Sequence, residues 1–280
     1  MDHEQWSDGQ DELSVTVDGH DLTAAYREFE GGEEPPVIFV HGIPTWSYLW
    51  RSIAPEIASD RRVIVPDLVG YGNSSMHDGF DRSIRAQEQM LEQLIDELVD
   101  GEVVLAAHDI GGGVALRYAA HNSDRVAGLV MSNAVCYDSW PVEFISDLGL
   151  PETADASVEQ IREQVGGAFE AGVYADEADP EFVEGMVAPW LSEEGVTSLA
   201  RCAVSTNTNH TTELDYDEID TELLCLWGAE DSFQPIEYGE RLVEDLGGEI
   251  VELAAYHWVP ADRPAEYANH LRAFLTETLG

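Results

Sequence analysis

The chain has 280 residues, 44% of them hydrophobic, which is enough for a large buried core and too apolar for a disordered chain. It carries 56 Asp and Glu against 13 Lys and Arg, a formal net charge of −43, and it contains no lysine. Acids spread from end to end speak for a surface solvated at high salt, where screening removes the self-repulsion, and against nucleic acid as a partner.

Met1 to Gln5 is polar and acidic and lacks the apolar core of a signal sequence. Leu13–Val17 alternates like a strand, Asp18-Gly19 turns the chain, and Leu22–Phe29 reads as the hairpin partner. Pro35-Pro36 is predicted to break the chain before Val37–Val40, a continuous apolar run suited to a strand buried on both faces. That run, among the longest apolar stretches, is far too short to cross a bilayer. His41-Gly42-Ile43-Pro44 ends the strand, and the pattern predicts a helix over Ser47–Ala58. Val63–Val65 is a further buried strand that empties into the glycine-rich loop 67–74. An amphipathic helix is expected over 84–99, with Met90, Leu91, Leu94, Ile95, Leu98 and Val99 on one stripe.

Val103–Ala107 then runs into His108-Asp109-Ile110-Gly111, followed by a helix-compatible stretch from Val114 to His121. An apolar strand, a sharp turn flanked by small residues (Ala107, Gly111) and a helix make the context of a nucleophile elbow, with Asp109 at its tip. Val126–Met131 is another strand, ending at Ser132-Asn133. Residues 138–212 are acidic, carry Trp140 and Trp190, and show helical patches without a clear strand, so they read as an inserted helical cap. Strand pattern resumes at Leu223–Trp227, before Gly228-Ala229-Glu230-Asp231. A helix over Ile236–Leu246, a strand over Ile250–Leu253 and a helix over Ala265–Leu279 complete the chain. Strands alternating with helices predict an α/β fold, a mostly parallel eight-stranded sheet flanked by helices. The core would be 1–137 and 213–280, and the cap 138–212. Cys136, Cys202 and Cys225 are too few and too scattered for a disulfide framework or a metal site. These features predict a soluble cytoplasmic protein in a high-salt cytosol, with no membrane association and no set oligomeric state.

Four features fall at the carboxyl ends of strands, where open α/β sheets place their sites: His41 to Pro44, Asp109, Asp231 and His257. Taken singly, Asp109 reads as a helix N-cap, Asp231 as a turn residue and His257 as structural. Together they follow the order nucleophile, acid, histidine. A carboxylate nucleophile displaces a leaving group from saturated carbon and forms an ester. His257 would then activate water against that ester, Asp231 would hold the imidazole, and the backbone N–H groups of Ile43 and Ile110 would form the oxyanion hole. His41 is expected to position the oxyanion loop and His108 to support the turn, while His210 and His270 are expected at the surface.

The run His41-Gly42-Ile43-Pro44-Thr45-Trp46-Ser47-Tyr48-Leu49-Trp50-Arg51 closely resembles a segment of the haloalkane dehalogenases. The loop Asp67 to Ser74 resembles that family and its epoxide hydrolase relatives. The resemblance covers roughly residues 20–136 and 213–280. It implies an α/β-hydrolase fold, no cofactor, no metal, and hydrolysis at carbon of a haloalkane or epoxide through Asp109, Asp231 and His257. The alternative acid position after the sixth strand is held by Asn133, which cannot serve as an acid. Two positions depart from the family pattern. Haloalkane dehalogenases commonly place a halide-binding tryptophan after the nucleophile and an asparagine after the His-Gly pair; here these are Ile110 and Ile43, whose side chains donate no hydrogen bond. Ile110 also stands where similar fluoroacetate dehalogenases place an arginine. Trp46, Trp140, Trp190 and Tyr137 are the candidate contacts to substrate or leaving group, and Tyr137, Tyr174 and Tyr216 are the tyrosines that epoxide chemistry could use. A non-catalytic ligand-binding homologue of the same fold is the reading from outside enzymology.

Overall fold

The computed structural model describes residues 1–175, 177–205 and 207–277. Eight strands form one sheet: β1 (Gln10–Val17), β2 (His20–Phe29), β3 (Glu33–Val40), β4 (Arg61–Pro66), β5 (Val103–His108), β6 (Val126–Ser132), β7 (Glu222–Gly228) and β8 (Glu249–Leu253), in spatial order β1-β2-β4-β3-β5-β6-β7-β8. β1 and β2 pair antiparallel, as do β2 and β4, and every later pairing is parallel. The β1–β2 turn places Asp18 and Gly19 at φ +47° and +82°, the mirror-image turn that a tight hairpin needs. The apolar runs of β3, β5 and β6 form the buried middle of the sheet, with Val37 to Val40 and Val103 to Ala107 all at 0% exposure.

Helices are α1 (His3–Ser7), α2 (Ala54–Ile57), α3 (Ile84–Leu98) and α4 (Ile110–His121) before the insertion, then α5 (Glu143–Leu148), α6 (Pro151–Ala154), α7 (Val158–Ala171), α8 (Pro180–Val187), α9 (Glu193–Val204) and α10 (Asn209–Thr212) within it. After β7 come α11 (Ile236–Leu246), α12 (Val259–Asp262) and α13 (Pro264–Glu277). Among the described residues between β6 and β7 there is no strand. α3 buries Met90, Leu91, Leu94 and Ile95, and Val99 lies just past its end, also buried.

Several expected boundaries change. Pro35-Pro36 does not break the chain but lies inside β3, where the pairing with β4 shifts register between Glu33 and Val37. The expected helix Ser47–Ala58 is a 3-10 turn, Ser47–Trp50, and one α-turn, Ala54–Ile57, with Pro55 in its first turn. The helix after the elbow starts at Ile110, directly behind Asp109, instead of at Val114. The final helix runs Pro264–Glu277; Thr278 and Leu279 of the expected span lie outside the described residues. His210 is buried, not superficial: α10 packs on α4, and the His210 carbonyl accepts from Arg117 at 2.8 Å. No helix among the described residues is long and apolar enough to cross a membrane.

Candidate active site

The chain leaves β3 for β4 on one side and later enters β5 on the other, so a crevice opens between the carboxyl ends of β3 and β5. Asp109 stands at that switch point with φ +52° and ψ −125°, a conformation that costs on the order of 1–3 kcal/mol for a residue with a side chain. Surrounding backbone holds it there, because its carbonyl accepts from Gly112 at 2.9 Å and from Val135 at 2.8 Å. The turn also needs a bare Gly111, where a Cβ would come within 2.5 Å of the carbonyl oxygens of Val40 and His41. Asp109 occupies the N-cap position of α4, yet its side chain makes no capping bond to the helix. Its Oδ1 accepts instead from the backbone N–H of Ile43 at 2.7 Å, and the Ile110 N–H also bears on the carboxylate. Gly42 permits this approach, since a Cβ there would sit 2.2 Å from Oδ1.

His257, on the loop after β8, presents Nε2 to Asp109 Oδ2 at 3.7 Å and donates from Nδ1 to Asp231 Oδ2 at 2.7 Å. The structure therefore brings Asp109, His257 and Asp231 together, all at least nine-tenths buried. Asp231 is braced twice more. Its Oδ1 accepts from the Phe233 N–H at 2.7 Å, and Oδ2 accepts from Asn133 Nδ2 at 2.5 Å. Asn133, with φ +43°, also accepts from the Gly228 N–H at 3.0 Å, so it clamps the end of β6 to the end of β7. The sequence marks Asn133 only as a position that lacks an acid; its spacing after β6 was the available signal for a partner of Asp231.

Burial pushes the Asp109 carboxyl above the usual carboxylate range, against the pull of His257 and of the Ile110 and Ile43 N–H groups. Burial pulls His257 down, but the charge and hydrogen bond of Asp231, with Asp109 behind them, leave it raised. His108 is held well below the ordinary imidazole range, by burial first and His257 second, and donates from Nδ1 to the Ser132 carbonyl at 2.9 Å. Burial lowers His41 to about 4. Its neutral ring donates from Nδ1 to the Gly42 carbonyl and accepts at Nε2 from the Leu68 N–H, tying the loop after β3 to the loop after β4. Asp67 adds a second tie that the sequence did not reveal, accepting from the Ser47 N–H, the Asn73 N–H and Gln10.

The remaining candidates are distributed differently. Trp46 donates its indole N–H to the Gly185 carbonyl at 2.8 Å, and Trp190 donates to the Pro44 carbonyl at 2.8 Å. Both donors are thus committed to backbone and not free for a leaving group. Tyr137 Oη donates to Asp245 at 2.7 Å, and Tyr216 Oη accepts from the Tyr137 N–H while donating to the Thr211 carbonyl. Tyr174 is turned toward Glu230. Trp140 is buried and anchors Thr208 through its own carbonyl. Among the described residues, no group of three or more His, Cys, Asp or Glu is arranged to hold a metal.

A strained acid at the tip of a strand–helix turn, faced by paired backbone donors and by a histidine–acid couple, is the site layout of one large class of α/β enzymes. The family model described as "alpha/beta hydrolase fold" matches residues 35–264, and the chain belongs to that family. A haloalkane dehalogenase of Mesorhizobium japonicum is 40% identical over 109 residues, 39% of this chain and 35% of that protein. A cis-3-alkyl-4-alkyloxetan-2-one decarboxylase of Shewanella oneidensis is 36% identical over 105 residues, 36% of this chain and 33% of that protein. The chain thus matches only about a third of the length of these curated relatives. An α/β-hydrolase fold protein from Burkholderia ambifaria superposes with a TM-score of 0.83 at 25% identity, covering 93% of this chain and 96% of the other.

Proposed function

We propose that this chain hydrolyses a substrate at saturated carbon through an ester on Asp109, with a haloalkane as the substrate class. The observation that carries this reading is the buried Asp109 carboxylate, with Oδ1 on the Ile43 N–H at 2.7 Å and Oδ2 facing His257 Nε2 at 3.7 Å. Oδ2 attacks the carbon bearing the leaving group, which departs with the bonding electron pair. His257 takes a proton from water as that water adds to Asp109 Cγ, and the negative charge collects on Oδ1 between the Ile43 and Ile110 N–H groups. Collapse releases the alcohol, which takes the proton back from His257; the second water proton, left on the new Asp109 carboxyl oxygen, passes to His257 and on to solvent to balance the departed halide, so Asp109 returns as a carboxylate. Asp231 holds the imidazole tautomer and balances the imidazolium. Residues 138–212 act as a cap on this site, a role supported by the bond from Trp190 to the Pro44 carbonyl.

The engaged tyrosines Tyr137, Tyr174 and Tyr216 support the haloalkane over the epoxide, whose oxygen needs a hydroxyl donor. A second reading draws on Ile43 and Ile110, which offer no side-chain donor to a halide, and on the oxetanone-cleaving relative. A strained four-membered lactone opens with little need for such donors. The test is His257→Phe protein incubated with a 1-haloalkane, styrene oxide or a cis-dialkyl oxetan-2-one, followed by peptide mass mapping. A stable alkyl adduct on the Asp109 peptide with the haloalkane, and halide release by the unmodified protein, are expected. An adduct on another residue, or none with any of the three, would sink the ester mechanism. Alkene and carbon dioxide from the lactone without halide release from the haloalkane would favour the second reading.

A further inference from the structure

A cavity of about 550 Å³ opens between the helical insertion and the core loops that carry the acid and the histidine. Phe144 of α5, Ala168 and Ala171 of α7 and Phe233 of the loop after β7 form its apolar walls, and it reaches Asp231 and His257. Asp109 is not on its walls, but His257, which is, lies 3.7 Å from Asp109 Oδ2 through Nε2. The Phe233 ring meets the His257 ring edge-on, at 5.4 Å between centroids and 89° between planes. Its other side stacks on Phe144 at 6.2 Å and 26°. Both phenylalanines are only partly buried. On a chain with a net charge of −43, whose exposed large hydrophobics among the described residues are Met1, Leu150 and Val204, a partly exposed apolar pair at the mouth of a cavity ending on a buried imidazole marks a path for an apolar ligand.

We propose that this cavity is the port through which an uncharged, apolar substrate reaches the site, and that Phe233 is its gate and its size filter. The proposal rests on the assignment of Asp109 as nucleophile only for the identity of what passes. Anions are disfavoured, because Glu230 lies exposed at the mouth and Asp231 lies below it. Phe233 holds a double position, its backbone N–H bracing Asp231 while its ring covers His257. Swinging that ring aside opens the way to the histidine without moving the acid.

Two substitutions test the port from opposite directions. Ala171 is exposed, so Ala171→Trp fills the cavity without disturbing a core position, and Phe233→Ala removes the gate. The first readout does not depend on the reaction: diethyl pyrocarbonate modifies the His257 ring, and peptide mapping follows the rate. Ala171→Trp is expected to slow this labelling at least about tenfold and Phe233→Ala to speed it by a similar factor. The second readout is the ratio of kcat/KM for a straight-chain over a branched 1-haloalkane. It should rise in Ala171→Trp and fall toward unity in Phe233→Ala. Labelling rates within about twofold of the parent in both variants, with unchanged Tm, would overturn the port. If no haloalkane is turned over, the haloalkane substrate class fails, while the labelling rates still decide the port.

Discussion

Asp231 Oδ2 accepts both from His257 Nδ1 and from the Asn133 amide, so a carboxylate at position 133 is expected to replace the one at 231. In Asp231→Asn the charge-assisted bond to His257 is lost, and such a bond is worth about 1.5–3 kcal/mol in the resting protein. On the proposed mechanism the imidazolium formed during ester hydrolysis also loses its counter-ion, and the amide favours the wrong tautomer. Hydrolysis of the Asp109 ester should slow by about 10⁴-fold, roughly 5 kcal/mol of barrier. Asn133→Asp alone sets a second carboxylate where an amide nitrogen now lies 2.5 Å from Asp231 Oδ2. Two carboxylates that close cannot both ionise, so they share a proton and the bond to His257 weakens. Combining the two changes restores one carboxylate and one amide in exchanged places. The double variant should hydrolyse the ester at least about 30-fold faster than Asp231→Asn alone, a recovery of about 2 kcal/mol of barrier. Single-turnover kinetics measure the rates, and NMR titration of His257 gives an independent readout. Its pKa should fall in Asp231→Asn, where burial acts unopposed by Asp231, and recover in the double variant. A folded double variant as slow as Asp231→Asn, with His257 still depressed, would refute the shared position.

Three further outcomes are expected. His257 must be neutral to act as a base, and its pKa is raised above 6.5, so ester hydrolysis should be lost as pH falls through a value above 6.5; ester formation, which needs only an ionised Asp109, should persist to lower pH, and stopped-flow at several pH values separates the two. Gly42→Ala drives a methyl group against Asp109 Oδ1 and should abolish turnover while lowering stability by about 1–3 kcal/mol, read by kcat and denaturant unfolding. Dialysis from molar to low salt should lower Tm as repulsion within a net charge of −43 becomes unscreened; an unchanged Tm would count against a salt-adapted surface.

Much of the fold was legible because its central strands are continuous apolar runs, which only a sheet covered on both faces accommodates. Asp109 and Asp231 were legible as candidates because each follows such a run, and His257 because it follows the last strand, β8. Side-chain destinations were not. The indole of Trp46 ends on a carbonyl 139 residues away and that of Trp190 on one 146 residues away, and local pattern carries no trace of such pairings. His210 escaped for the same reason, since its burial is imposed by α4. Asn133 was visible as a residue type but not as a donor, because its partner lies 98 residues later.

The two oxygens of Asp109 are chemically identical in solution but not in this fold. Oδ1 is bound by the Ile43 N–H before any substrate arrives, while Oδ2 faces His257. On the proposed mechanism Oδ2 leaves with the alcohol and water supplies its replacement, whereas Oδ1 stays in place through the ester and the tetrahedral intermediate. A carboxylate that does not rotate therefore has a memory: one oxygen is a permanent part of the enzyme, and the other is as old as the last turnover.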